Sequence, residues 1–262
     1  MKKLSLILAI VCLAGISFAA PTIDGVLDAS GYTNLASALP GDKTGFGGAI
    51  DCSGIWWQGD ATNIYLFVQC KANTTNSDGI LLLINSSKLT GAAAGTSLGN
   101  IASGGAVFGN TGNNDWKMEF EVDMALFGNT GSSATNYWVD FANYVGSPTG
   151  AYFGNPGQSG TPLTNLGFTM AFNNAGNTGG AGSSTGWELE IPRASLGNLA
   201  YTDTLQGFAI VTASSAWFSD DSAPANIAGG NPGPNPDFGS ISGTQYVSTT
   251  TVPVALDWSI VE

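Results

Sequence analysis

From Asp115 to Asp123 the chain alternates strictly. Trp116, Met118, Phe120 and Val122 are apolar, while Asp115, Lys117, Glu119, Glu121 and Asp123 carry charge. A period of two matches the pleat of a β-strand with one buried face and one wet face. Trp187, Leu189 and Ile191 alternate in the same way with Glu188 and Glu190, which places both glutamates on the solvent side. Ile80–Ile84 is an unbroken apolar run, the pattern of a strand buried on both faces. Tyr137–Val145, Gly167–Phe172, Phe208–Ala213 and Val252–Ile260 are further strand candidates, rich in aromatic and β-branched residues. Gly91–Gly105 and Asn173–Gly186, built mostly from Gly, Ala, Asn, Ser and Thr, read as loops. The one helical hint is a turn near Arg193–Leu196. Many short strands with turn-rich connections predict an all-β chain, a single antiparallel β-sandwich of jelly-roll-like layout with long Gly/Asn-rich loops. With no internal repeat and no break in composition, residues 20–262 form one domain.

The first 19 residues read as an address. Lys2 and Lys3 precede an apolar run from Leu4 to Leu13, and the small residues Ser17 and Ala19 follow. This is the order of a secretory signal peptide, with the cut placed after Ala19. The run is too short to span a bilayer, and no later stretch is long enough. The mature protein is therefore expected to be exported by a bacterial cell and soluble, outside it or on its surface.

Composition narrows the chemistry. Charged residues make up only 10% of the chain, against about a quarter in soluble domains generally. A hydrophobic content of 43% argues against disorder. The absence of histidine removes Ser-His-Asp triads, Cys-His pairs and every His-ligated metal site. Nineteen acidic residues against seven basic ones leave no footing for phosphate, so nucleic acid is not an expected partner. Loss of Lys2 and Lys3 with the signal peptide deepens the formal net charge of −12 further.

Removing the signal peptide also removes Cys12 and leaves Cys52 and Cys70. An even count in an exported chain predicts a disulfide. A hairpin of Ile50–Trp57 and Asn63–Lys71, with its turn centred on Ala61, sets Cys52 opposite Cys70, Trp56 opposite Leu66 and Trp57 opposite Tyr65. Such a bridge would constrain the unfolded chain by about 3 kcal/mol. Two buried free thiols are the alternative.

Four segments carry a resemblance in chain order. Pro21–Asp28, containing Ile23-Asp24-Gly25 and followed by Tyr32, resembles the opening of carbohydrate-binding module family 9-like (DOMON-like) domains. Asp60–Val68 is similar to that family's strand with a Leu-Tyr core after a Trp. Ile80–Asn85 resembles a later strand, with Asn85 where an Asp is usual. Glu188–Gly197, with Ile191-Pro192 and Leu196-Gly197, is similar to its late segment. The resemblance implies a jelly-roll-like antiparallel sandwich that binds sugars, in some members with calcium.

The residues themselves supply candidates. In the predicted hairpin Ile55, Trp57, Tyr65 and Phe67 share one face, and Cys52, Trp56, Leu66, Val68 and Cys70 the other. Trp57 and Tyr65, with Gln58 or Asn63 beside them, would make a platform for the apolar face of a sugar; packing of both faces into a core is the alternative. Trp217, next to the Ser219–Asp221 stretch, is a second ligand-binding candidate. Asp220, Asp221 and Asp237, with Asn226, Asn231 and Asn235 among glycines and prolines, offer oxygen ligands suited to Ca²⁺. Their spacing is not that of an EF-hand, and a solvated loop with Asx-turns is the alternative. Calcium is thus an optional support and no cofactor is required. Glu119 with Glu121, or Glu188 with Glu190, are the carboxylate pairs available for glycoside hydrolysis, but alternation points them to solvent and no nucleophile has an activating base.

Two functions follow. The first is a secreted, non-catalytic carbohydrate-binding protein whose partner is a polysaccharide or glycan. The second is a structural or adhesive surface protein, a homo-oligomer assembled through an exposed terminal strand at Thr249–Ile260.

Overall fold

A computed structural model describes residues 20–28, 30–37, 45–100, 107–109, 112–133, 136–175, 184–200 and 202–249. Residues 1–19, where a signal peptide is expected, and the stretch 250–262, including Val252–Ile260, lie outside the described residues.

The chain is nearly all β, as its alternation predicts. In order it forms β1 (Thr33–Ser37), β2 (Asp51–Gly59), β3 (Asn63–Lys71), β4 (Gly79–Ser86), β5 (Met124–Asn129), β6 (Trp138–Asn143), β7 (Thr149–Gly154), a short helix α1 (Pro162–Asn165), β8 (Thr169–Phe172), β9 (Gly186–Pro192), β10 (Leu205–Thr212), β11 (Trp217–Ala223), β12 (Gly233–Pro234) and β13 (Val247–Thr249). The helical hint at Arg193–Leu196 is a 3-10 turn over those four residues. Five strands in the order β1-β2-β3-β9-β8 make the small sheet; β12-β11-β10-β4-β5-β6-β7, with β13 also on β10, make the large one. All strand pairs are antiparallel.

The main core lies between the sheets and joins Trp57, Leu66, Val68, Trp187 and Leu189 to Leu82, Leu126, Phe141 and Phe153. β4 shows why an unbroken apolar run is buried twice. Ile80, Leu82 and Ile84 enter this core, while Leu81 and Leu83 enter a second one on the outer face of the large sheet. That second core is roofed by the alternating segment, whose Trp116, Met118, Phe120 and Val122 are all buried there.

The alternation therefore identifies the buried face, but 115–123 is not a ladder strand. It crosses the sheet as a cover, tied by single bridges from Val122 to Ala92 and from Lys117 to Ser97 and Asp237. Its backbone groups find partners one at a time, for example Leu98 N–H to Trp116 O at 2.9 Å and Lys117 N–H to Pro236 O at 2.9 Å.

The β2–β3 hairpin forms with Cys52 opposite Cys70. A bulge between Cys52 and Gly54 then shifts the register, pairing Trp57 with Leu66 and Trp56 with Phe67. One extra residue sends following side chains to the other face. Trp57 thus joins Leu66 and Val68 in the main core, and Trp56 packs with Tyr65, Phe67 and Tyr32 on the outer face of the small sheet. The predicted face assignment of the two tryptophans is reversed.

β13 joins the large sheet, where Val247, Ser248 and Thr249 pair with Gly207, Gln206 and Leu205; of the predicted terminal strand Thr249–Ile260, all but Thr249 lies outside the described residues.

Candidate functional site

Trp57 is 1% exposed and Tyr65 2%. They sit in different cores on opposite faces of the hairpin, so they share no platform and neither offers a free ring. The Tyr65 hydroxyl is occupied as well, donating to Asp60 Oδ2 at 2.6 Å, and burial followed by that bond pushes its pKa up to about 12. Gln58 is buried, and Asn63 donates to Glu190 Oε1 at 2.5 Å. The bulge is the physical reason for this correction: without it, Trp57 would face away from the sandwich interior.

The predicted calcium ligands do not converge. Asp220 and Asp221 are consecutive residues of β11, so the pleat aims them at opposite faces. Asp221 accepts Cys52 N–H at 3.3 Å, on the side of the small sheet. Asp237 caps the 3-10 turn Phe238–Ser240, accepting Gly239 N–H and Ser240 Oγ–H at 3.1 Å each. Of the amides expected beside them, Asn231 accepts Asp220 N–H at 2.9 Å and donates to Gly45 O at 3.2 Å. Only the Asp237 bond to Gly239 N–H is an Asx-type turn; the Asp221 and Asn231 bonds tie β11 to Cys52 and to separate loops. Among the described residues no three acidic or cysteine side chains gather as a metal cluster.

The two thiols meet in register and remain unbonded. Each sulfur is engaged by a different strand: Cys52 by the Ala223 backbone, Cys70 by the Trp187 backbone. Burial pushes both thiols well above the usual range, with the Asp221 charge next in effect on Cys52. In place of the predicted disulfide, Cys52 and Cys70 stand as a buried, cross-strand dithiol.

The glutamates are structural acceptors. Glu188 is wholly buried, contrary to its alternation, because the N-terminal segment folds over the outer face of the small sheet. Its carboxylate accepts Asp24 N–H at 3.0 Å, Gly25 N–H at 2.9 Å and the Tyr32 hydroxyl at 2.7 Å. Burial raises its pKa although all three bonds oppose that. Glu121 accepts Gly91 N–H at 3.1 Å and Glu119 accepts Gln245 N–H. Each of these four carboxylates, Glu190 included, is tied to a loop or neighbouring strand.

One sequence candidate does reach the surface. Trp217 is 47% exposed at the start of β11. A tight turn places it there: Ala216, in the left-handed region at φ 58°, donates its N–H to Ala213 O at 2.9 Å. The Trp217 carbonyl accepts Ala213 N–H at 2.9 Å and the Thr212 hydroxyl at 3.0 Å. The indole rests on Gly233, where a Cβ would lie 3.5 Å from Cζ2, and Pro234 is its cross-strand partner.

Three loops meet at this corner. Asn113 Nδ2 donates to Ser215 O at 2.7 Å, Asn235 Nδ2 to Gly112 O at 3.1 Å, and Asp115 N–H to Asn235 Oδ1 at 2.9 Å. The result is an exposed aromatic face beside loops tied together by Asn113 and Asn235. By contrast, a cavity of about 180 Å³ lined by Leu89, Met124, Phe141, Val145, Leu166 and Phe168 is apolar. Its Asn143 and Ser195 side chains already hold Val145 N–H and Leu166 O.

No protein-family model, curated protein or solved structure matches this chain.

Proposed function

We propose that the protein is an exported, non-catalytic carbohydrate-binding β-sandwich, and that Trp217 stacks on its glycan. The observation that carries this reading is the half-exposed indole held on Gly233 and Pro234 at a corner rimmed by Asn113, Ser215 and Asn235. Aromatic rings are normally buried because they remove so much apolar surface from water. One kept at the surface on a prepared bed, with amides around it, suits a ligand that has both an apolar ring face and hydroxyls. The resemblance to family 9-like modules and the secretory leader support the same reading. The reading does not depend on calcium; the carboxylates of Asp221 and Asp237 accept separate backbone N–H groups, from Cys52 and Gly239.

Trp217→Ala is the direct test. In affinity electrophoresis through polysaccharide gels, the wild-type protein is expected to be retarded and the variant to lose most of that retardation at an unchanged melting temperature. Equal retardation of both would remove Trp217 from the site.

A further inference from the structure

Among the described residues three large apolar side chains are exposed: Trp217, Leu166 and Trp138, the last at 37%. Trp138 opens β6 on the outer face of the large sheet, the face that carries Ala142 and the second core. Farther along that face Ala142 and Phe127 are covered, and Trp138 is not. Its indole lies against Gly131, a turn glycine at φ 56°, with Cδ1 and Nε1 at 3.0 and 3.1 Å from where a Cβ would stand. Any side chain there would lift the ring.

Tyr152 of β7 stands beside it. The ring centroids are 6.0 Å apart and the planes are tilted by 48°. The Tyr152 hydroxyl donates to Gln158 Oε1 at 2.8 Å, fixing the phenol and an exposed amide together. Asp140 is the direct cross-strand partner of Tyr152 and shares the face of Trp138 two residues earlier. Next on that face of β7 comes Gly150, which is buried, so the accessible part of the face ends at Tyr152. Two ring faces, a carboxylate and an amide thus converge on a shallow, open V.

The register ties this place to Trp217. Phe218, Thr212, Gly79, Asn129 and Trp138 form one row across five strands. Trp217 and Trp138 therefore lie at the same end of the large sheet, about 19 Å apart at four strand spacings, but on opposite faces, since it is Phe218 that shares the outer face with Trp138.

The geometry points to a second stacking platform, Trp138 with Tyr152, that takes a neutral pyranose chain. This deepens the glycan reading and depends on it. The tilt of the rings suits a single flexible chain rather than a flat crystalline surface, which would demand coplanar rings. Asp140 and the net charge of −12 select against uronic or sulfated sugars, since like charges repel ligand and platform alike. A protein partner is a poorer fit, because a stable interface needs roughly 1,000 Å² of well-packed surface and among the described residues only three large apolar side chains are exposed.

The test is affinity electrophoresis and isothermal calorimetry of the full chain on a panel of neutral and acidic polysaccharides. Variants are Trp138→Ala, Trp138→Tyr, Tyr152→Ala and Trp217→Ala, each checked by melting temperature. Trp138→Ala and Tyr152→Ala are expected to weaken binding to a neutral chain by about tenfold each, and Trp138→Tyr, which keeps a ring, to retain most of it. If both alanine variants bind as wild type while Trp217→Ala does not, the second platform is wrong and the glycan reading stands. Tighter binding to acidic than to neutral chains would overturn the ligand class. If wild-type protein binds no member of the panel, the glycan reading itself falls.

Discussion

Replacing Glu188 with alanine removes the group that holds the N-terminal segment on the small sheet. Three donors lose their acceptor: Asp24 N–H, Gly25 N–H and the Tyr32 hydroxyl. Asp24 lies at the surface, so its N–H can turn to water, whereas Gly25 and Tyr32 are buried. Two orphaned buried donors cost roughly 1–3 kcal/mol each. Part is returned because the variant no longer buries a carboxylate, a burden shown by the raised pKa of Glu188. A net loss of about 3 kcal/mol is expected.

Glu188→Gln separates charge from hydrogen bonding. Its amide oxygen can accept the two backbone N–H groups while its NH₂ donates to the Tyr32 oxygen, so the loss should stay below about 1 kcal/mol at neutral pH. The sign of the pH effect follows from the raised pKa. The stability Glu188 contributes is fully present below its unfolded value and falls as pH rises through the folded one, so the Gln variant gains on wild type with rising pH. Urea unfolding followed by tryptophan fluorescence, with hydrogen exchange at Gly25, reads both effects. An alanine variant within about 0.5 kcal/mol of wild type, or Gln as damaging as Ala, would refute the clasp.

Two further outcomes follow from buried groups. Asp123 accepts Ser86 N–H at 2.6 Å, and burial lifts its pKa to about 6 against that bond, with the charge of Glu121 adding to the rise. Its favourable contribution is complete below about pH 4 and lost as pH climbs through about 6. Asp123→Asn should therefore gain on wild type by up to about 3 kcal/mol between pH 4 and pH 8 in denaturant titrations; a difference independent of pH would contradict this. The dithiol makes a mass-spectrometric prediction. Unfolded mature protein should take up two alkyl groups without reductant, while native protein resists labelling, and no uptake after unfolding would mean Cys52 and Cys70 are bridged.

Alternation made the buried faces legible, and it failed where the partner of a face mattered. Trp116 to Val122 are as apolar and as buried as their period requires, yet nothing in a period of two says whether the backbone joins a ladder or crosses one as a cover. Glu188 fails for a related reason: its face of β9 is wet by pattern, and the segment that dries it lies more than 150 residues away. The hairpin was legible down to Cys52 facing Cys70. A bulge is a single unpaired residue with no marker in composition, and it exchanged Trp56 for Trp57 in the core. Trp217 remained visible because it precedes a polar stretch. Trp138 did not, since Tyr137–Val145 reads as an ordinary strand. The available signal was Asp140 two residues on, which marks an open face.

The central claim is that a folded, exposed Trp217 face binds glycan. Its most direct measurement is a glycan array probed with the mature wild-type protein, alongside Trp217→Ala of equal melting temperature. Wild type is expected to be retained on neutral polysaccharides, and the variant to lose that retention. Folded wild-type protein that is retained by no glycan would contradict the claim.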